Sequence, residues 1–321
     1  MVTKRARRWV RRGVTVAIVL LVLGSAAATW FTSEAIEADL LFVTGGASIT
    51  DPGDADLAFT QVDIPGPLGN YPAWLVAADD DSNQATWAIF VHDKDAGLGQ
   101  ALDLLPTFVE HGLPSLVISY RDDAGAPPSE GGHHTLGTHE WEDLEAAVGF
   151  AIDSGAGDVV LVGHGSGGSI ALVFMRQSVL AEQVSGVVLD SAYLDPGSMV
   201  DTRTAANNVP GFLAGWGRAL AAFRFGVDWA ILDQVAAAGE FSTPILLIHG
   251  DGDEWVPVWI ADTFADAQPF FVEYLRIEGA GHLEGFATDP DRYAATVDRF
   301  LRRVAPGPIE QVEVVAHPER E

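Results

Sequence analysis

Residues 159–172 read VVLVGHGSGGSIAL. The opening VVLV is an aliphatic run suited to a buried strand. Gly163-His164-Gly165-Ser166-Gly167-Gly168 then permits a sharp reversal, and Ser169-Ile170-Ala171-Leu172 continues as a helix. Working outward, short apolar runs alternate with helix-length amphipathic segments. Strands are expected over 57–64, 73–78, 86–92, 114–120, 158–163, 184–190, 243–249 and 271–277. Helices are expected over 98–111, 138–154, 166–178, 257–267 and 290–304, with Thr138 as a cap. Residues 195–240 carry helical stretches without strand signals. This alternation predicts crossover connections and a mostly parallel sheet covered by helices on both faces. Such sheets build their sites at the carboxyl ends of strands.

Two more strand ends carry chemistry. After ILLI comes His249-Gly250-Asp251-Gly252-Asp253-Glu254-Trp255-Val256-Pro257. After LRIE comes Gly279-Ala280-Gly281-His282. A strand-turn-helix, a later acid and a late histidine follow the chain order of nucleophile-elbow enzymes.

On these residues the chain resembles the α/β-hydrolase-fold superfamily, in particular its serine-hydrolase-like, membrane-anchored branch from high-GC bacteria. The resemblance covers roughly 57–304. It is carried by IFVHDKDAGLGQALDLLPTF, LVISYRDDAGAPPSEGG, VVLVGHGSGGSIAL, GVVLDSAYLD, PILLIHGDGDEWVP and IEGAGHLEGFATDPDRY. It implies an α/β-hydrolase fold with a helical lid over about 195–240. It also implies hydrolysis of an ester, amide or thioester, with Asp253 as the acid and His282 as the base. No cofactor and no metal are expected. His133, His134 and His139 with Glu140 and Asp143 read as a loop and helix start rather than a metal site.

The decisive position departs from the family pattern. In register, Gly165 stands where the nucleophile belongs. Ser166 follows it, at the residue whose backbone N–H donates to the oxyanion. A one-residue slip that made Ser166 the nucleophile would put His164 where the turn needs a small residue. The loop after Thr86–His92 departs too: where the family has His-Gly, this chain reads His92-Asp93-Lys94-Asp95. Two carboxylates beside a developing oxyanion oppose it, although Lys94 offsets part of that charge. His92, Asp93, Lys94, His164 and Trp255 are therefore the candidate oxyanion and pocket residues. Two functions stay open: a hydrolase working through Ser166, Asp253 and His282, or an impaired relative that keeps its pocket for binding. Aromatics in the insertion (Phe212, Trp216, Phe223, Phe225, Trp229) fit a lid over an apolar pocket or ordinary core packing.

The 321 residues include 18 Lys+Arg and 45 Asp+Glu, a formal charge of -27. Six of the basic residues fall in the first twelve positions, so 12 basic face 45 acidic residues elsewhere, or -33. That field excludes nucleic-acid binding and disfavours anionic substrates. A neutral small-molecule or lipid-like substrate fits it better. With no Cys, disulfides and thiolate chemistry are absent. Residues 1–12 form a basic stub. GVTVAIVLLVLGSAAATWF (13–31) is 19 uncharged residues, enough to cross a ~30 Å hydrocarbon core as a helix. The basic flank predicts a cytoplasmic N-terminus, a span over 13–33 and an extracytoplasmic domain. A signal cleaved after Ala26-Ala27-Ala28, giving a secreted protein, is the alternative. Residues 34–56 read as a linker and 305–321 as a flexible tail.

Overall fold

The computed structural model describes residues 4–42, 50–78 and 85–306. Much of the expected linker and nearly all of the expected tail, 43–49 and 307–321, lie outside the described residues. Eight strands form one sheet, β1 (Phe59–Gly66), β2 (Gly69–Val76), β3 (Thr86–Val91), β4 (Ser115–Ile118), β5 (Asp158–His164), β6 (Val184–Asp190), β7 (Ile245–Gly250) and β8 (Val272–Ile277). Their order is β1-β2-β4-β3-β5-β6-β7-β8. β1, β2 and β4 pair antiparallel, while β4-β3-β5-β6-β7-β8 pair parallel. The chain thus has the α/β-hydrolase fold. β3 and β7 are buried at every position, as continuous apolar runs in a doubly covered parallel sheet must be.

The helices are α1 (Lys4–Ile36), α2 (Leu105–Glu110), α3 (Trp141–Asp153), α4 (Ser166–Gln177), α5 (Pro196–Ala206), α6 (Gly211–Phe225), α7 (Val258–Ala267), α8 (Gly285–Thr288) and α9 (Pro290–Val304). α9 follows its local signals. Asp289 accepts the Arg292 N–H, Pro290 opens the helix, and Tyr293, Thr296, Val297, Phe300 and Leu301 form one buried face.

Two helices depart from expectation for identifiable reasons. The helix expected over 98–111 is a 3₁₀ segment over Leu98–Asp103 followed by the short α2. Pro106 lacks an N–H and sits in the first turn of α2, where that loss is harmless. Helix α3 begins at Trp141 rather than Thr138. The buried Glu140 carboxylate turns back to accept from Thr135 N, Thr135 Oγ1 and Gly137 N, which holds that turn outside the helix. The Thr138 hydroxyl accepts instead from Asp228 N.

Residues 34–42, expected as linker, are folded against the domain. α1 runs to Ile36 and a π-turn follows over Glu37–Leu41. Ile36, Leu40 and Leu41 enter the main core. By contrast Val14, Val16, Ile18, Leu20, Leu21 and Leu23 of α1 are exposed. The segment Arg11–Leu41 is long and apolar enough to cross a membrane. α6 packs across the last turns of α1, and a side chain at Gly217 would overlap Thr32.

One buried ion pair joins β2, α3 and the end of β4. The Arg121 guanidinium donates to both Asp143 oxygens at 2.7 Å, and Tyr71 Oη donates to Oδ1 at 2.8 Å. Asp143→Ala would leave the buried Arg121 charge with only the partly exposed Glu142 carboxylate, at 3.1 Å, in place of its two-pronged partner. A loss of about 3–5 kcal/mol is expected, read as a lower urea midpoint.

Candidate active site

β5 ends at His164, α4 begins at Ser166, and Gly165 is the single residue between them. Gly165 has φ 51° and ψ -117°, a strained conformation that glycine enters most easily. The next turn lies against β3 so closely that a side chain at Gly167 would overlap Val91 O. Gly165 itself is tied to its neighbours: its N–H donates to Asp190 O and its carbonyl accepts from Tyr193 N.

The Asp93 carboxylate lies directly over the Gly165 Cα. A Cβ built on Gly165 would overlap its oxygen and carbon atoms. Asp93 Oδ1 accepts the Ser166 N–H at 2.8 Å, and Asp93 N–H donates to Gln100 Oε1 at 2.7 Å. Ser166 is fully buried, and its Oγ accepts the Lys94 N–H at 2.8 Å. Lys94 Nζ pairs with Asp95 and donates to Phe42 O at 3.3 Å. The Ser166 N–H, which the resemblance nominates as an oxyanion donor, is therefore occupied by a carboxylate, and the Lys94 N–H beside it by a hydroxyl. Of the two acids expected to crowd this loop, Asp93 points inward and Asp95 is the outer one.

Asp253 and His282 are brought together. His282 Nδ1 lies 2.8 Å from Asp253 Oδ2. Asp253 Oδ1 accepts the N–H groups of Trp255 and Val256, both at 2.7 Å, so the carboxylate is fixed by its own loop. Asp251, the neighbouring acid, accepts from Gly279 N instead. His282 Nε2 is buried and has no hydrogen-bond partner among the described residues. The trio Ser166, Asp253 and His282 is thus not assembled as a hydrogen-bonded relay: the Ser166 hydroxyl faces Lys94, not His282.

Several neighbours were not singled out from the sequence. Ser191 Oγ accepts Leu283 N–H at 3.1 Å and so holds the histidine loop. Tyr193 Oη accepts Trp255 Nε1–H at 2.7 Å, and the Tyr193 ring lies beside His282. Burial, with Asp93 nearby, raises the Tyr193 phenol well above its usual range, so it stays neutral. Asp190, which accepts from Tyr293 Oη, ends β6 opposite His164. His164 lines a cavity of about 40 Å³ with Asp190, Phe286 and Tyr293, and burial lowers its pKa. The motif DSAY (190–193) held the signal for three of these residues, but only a solved sheet order shows that β6 adjoins β5.

The insertion aromatics divide. Phe225 and Trp229 are partly buried against the core. Phe212, Trp216 and Phe223 are exposed at 57%, 52% and 88%. The His133–Asp143 region is a structural network, with His134 beside Glu140, His133 on Glu37 and Asp143 on Arg121. No group of three or more His, Asp or Glu among the described residues is arranged to hold a metal.

The family model described as the alpha/beta hydrolase family matches residues 88–296, and the chain belongs to that family. No curated protein matches it. Solved structures similar to it include an esterase of Pyrococcus furiosus (18% identity, 82% of this chain and 97% of that one, TM-score 0.62). Another is an esterase from Butyrivibrio proteoclasticus bound to ferulic acid (15% identity, 76% and 98%, TM-score 0.59). A thermophilic esterase from Thermogutta terrifontis matches with 19% identity over 76% and 99%, at TM-score 0.53. At these identities the likeness is one of fold.

His92 carries a testable charge. Its Nε2 lies 2.9 Å from Asp123 Oδ2 and its Nδ1 2.8 Å from Asp93 O. Two acceptors are satisfied together only by the imidazolium. Burial alone would lower the His92 pKa, but Asp123 outweighs it and the net shift is upward. A raised folded pKa stabilises fully below the unfolded value of about 6.5, and that contribution is lost as pH rises through the folded value. Stability measured by urea at increasing pH should fall across that window, and Asp123→Asn should remove the fall.

Proposed function

We propose that the protein is a membrane-tethered, extracytoplasmic member of the family in which serine-based acyl transfer has been lost. Gly165 occupies the nucleophile position, Ser166 serves as the first residue of α4, and Asp253 and His282 persist as a pair without a nucleophile. The ancestral reaction is hydrolysis of an ester, amide or thioester. A neutral small molecule or lipid-like ligand is the occupant its acidic surroundings suit best. The exposed apolar stretch of α1, with its basic N-terminal flank, supports a span that leaves the domain outside the cytoplasm.

One observation carries the reading: the Asp93 carboxylate fills the space that a side chain at Gly165 would need, and takes the Ser166 N–H. A lost oxyanion donor costs about 3 kcal/mol. A carboxylate about 4 Å from a developing oxyanion adds about 4 kcal/mol at an effective dielectric of about 20. Together these slow acyl transfer by on the order of 10⁵-fold, before the missing hydroxyl is counted. The competing reading, with Ser166 as nucleophile, needs its Oγ at His282 Nε2. The hydroxyl is instead buried beneath Lys94 N–H.

A fluorophosphonate probe tests the reading. The natural protein should remain unlabelled. Gly165→Ser alone should also remain unlabelled, because the new side chain meets Asp93. Gly165→Ser combined with Asp93→Gly should gain labelling and hydrolysis of a p-nitrophenyl ester, given a circular dichroism spectrum like the parent's. Labelling of the natural protein that disappears in Ser166→Ala would overturn the proposal.

A further inference from the structure

The outward face of α6 is apolar. Its exposed residues along one stripe are Phe212, Trp216, Ala219 and Phe223, spaced by four, three and four positions. A surface helix of a water-soluble domain turns its polar side outward. Here the inward side carries the small residues Ala214, Gly217 and Ala221, which are buried. Three large aromatics in one exposed row are not the scattered apolar residues found on any surface. An active-site lid would point such a row at the site; this row points away from the protein.

What lies beside the stripe identifies its partner. Gly217 sits against Thr32 of α1. Arg224, near the end of α6, bonds Ser33 and Glu34 of α1 and stacks on the Trp30 ring. A cleft of about 480 Å³ separates the other end of α6 from α1, lined by Ala28, Phe31, Val209 and Leu213. Both ends of α6 therefore meet the same few turns of α1, so the helices cross. Those turns come directly after the exposed apolar stretch Val14–Leu23. The cleft, whose wall also carries Asp39, Arg203, Asn207 and Asn208, therefore lies between the start of α6 and the turns of α1 that follow the apolar span, and the aromatic row runs along the outer side of the same helix.

From the exposed aromatic row and the crossing of α6 with α1 beside its apolar stretch we infer that α6 is a second membrane contact, lying in the outer interface of the bilayer that α1 crosses, with Phe212, Trp216 and Phe223 inserted among the lipids. The inference rests on the reading of α1 as a span. Aromatic residues favour that depth, and a helix in the interfacial plane buries an apolar face about 5–10 Å into the headgroup boundary. Both arginines of α6 are already paired, Arg218 with Asp201 and Arg224 with Glu34 and Glu37. Apolar burial rather than anionic lipid therefore drives the contact, and the acidic domain would be repelled by an anionic surface. The fitting partner is a zwitterionic leaflet.

The chain has no cysteine, so single labelling sites are clean. Phe212→Cys and Phe223→Cys, each carrying an environment-sensitive dye, are placed in the full chain and reconstituted into phosphatidylcholine vesicles with brominated acyl chains. Leu20→Cys reports the span. Val179→Cys and Phe270→Cys, exposed at 85% and 91% just before β6 and β8, report the end of the sheet where the parallel strands begin, while α6 follows the carboxyl end of β6. Blue-shifted, bromine-quenched emission is expected from positions 20, 212 and 223, and water-like, unquenched emission from 179 and 270. Quenching at 20 with water-like emission at 212 and 223 would overturn the second contact while leaving the span intact. Water-like emission at 20 as well would remove the span and this inference with it. Blue-shifted but unquenched emission at 212 and 223, with disulfide-linked dimers of undyed Phe223→Cys, would assign the stripe to a second copy of the chain and overturn the lipid contact.

Discussion

The whole site hangs on a strand that must turn into a helix within one residue. β5 and α4 share Gly165 as their hinge, and the first turn of α4 then passes within contact of β3. That approach is possible only because Gly167 has no side chain, and it places Ser166 N–H, His92, Asp93 and Lys94 in one small volume. The loop after β3 cannot move away without opening the packing between β3 and α4. Whatever side chain the loop presents at position 93 is therefore held over Gly165. An aspartate there is held as firmly as a small residue would be, and its carboxylate takes the amide that faces it.

Charge is the second constraint, and it acts locally rather than through the net value. A buried carboxylate persists when donors surround it. Asp143 has the Arg121 fork and Tyr71, Glu140 has Thr135 and Gly137, and Asp253 has two amides and the His282 ring. The acids of the inner site are thus matched one by one, and most of the remaining negative charge is carried on the surface. Asp93 belongs to this set. Its Ser166 amide is a donor that, in a serine hydrolase, would wait for the oxyanion. Here that N–H is held by the Asp93 carboxylate at 2.8 Å.

The order of elements was legible because short apolar runs alternate with helix-length amphipathic segments, and because Pro290 opens the closing helix by chemistry that acts within a few residues. Asp253 and His282 were legible as a pair through the family resemblance, which implies the acid and the base at these two strand ends, and the fold sets His282 Nδ1 2.8 Å from Asp253 Oδ2. The inward turn of Asp93 was not legible. It depends on a contact between residues 93 and 166, and spacing along the chain does not say which way a loop side chain rotates. The start of α3 was missed for the same reason, since Glu140 reaches back to its own preceding turn rather than forward. The role of residues 34–42 was hidden because their partners, Arg224, His133 and Lys94, lie from about 50 to 190 positions away.

Those partners tie the N-terminal helix to the site mechanically. Leu41 O accepts His134 N–H and Phe42 O accepts from Lys94 Nζ, while Lys94 N–H holds the Ser166 hydroxyl. The segment that follows α1, ending at Phe42, is therefore linked to the elbow through Lys94. Leu40 and Leu41 add apolar burial worth roughly 1.5–3 kcal/mol each, which docks this segment on the domain. The last turns of this helix are thus packed on the domain rather than hanging free of it. That packing also makes the loop that bears Asp93 part of the structure that meets α1, so the group covering Gly165 and the segment leading to the apolar helix are braced by the same lysine.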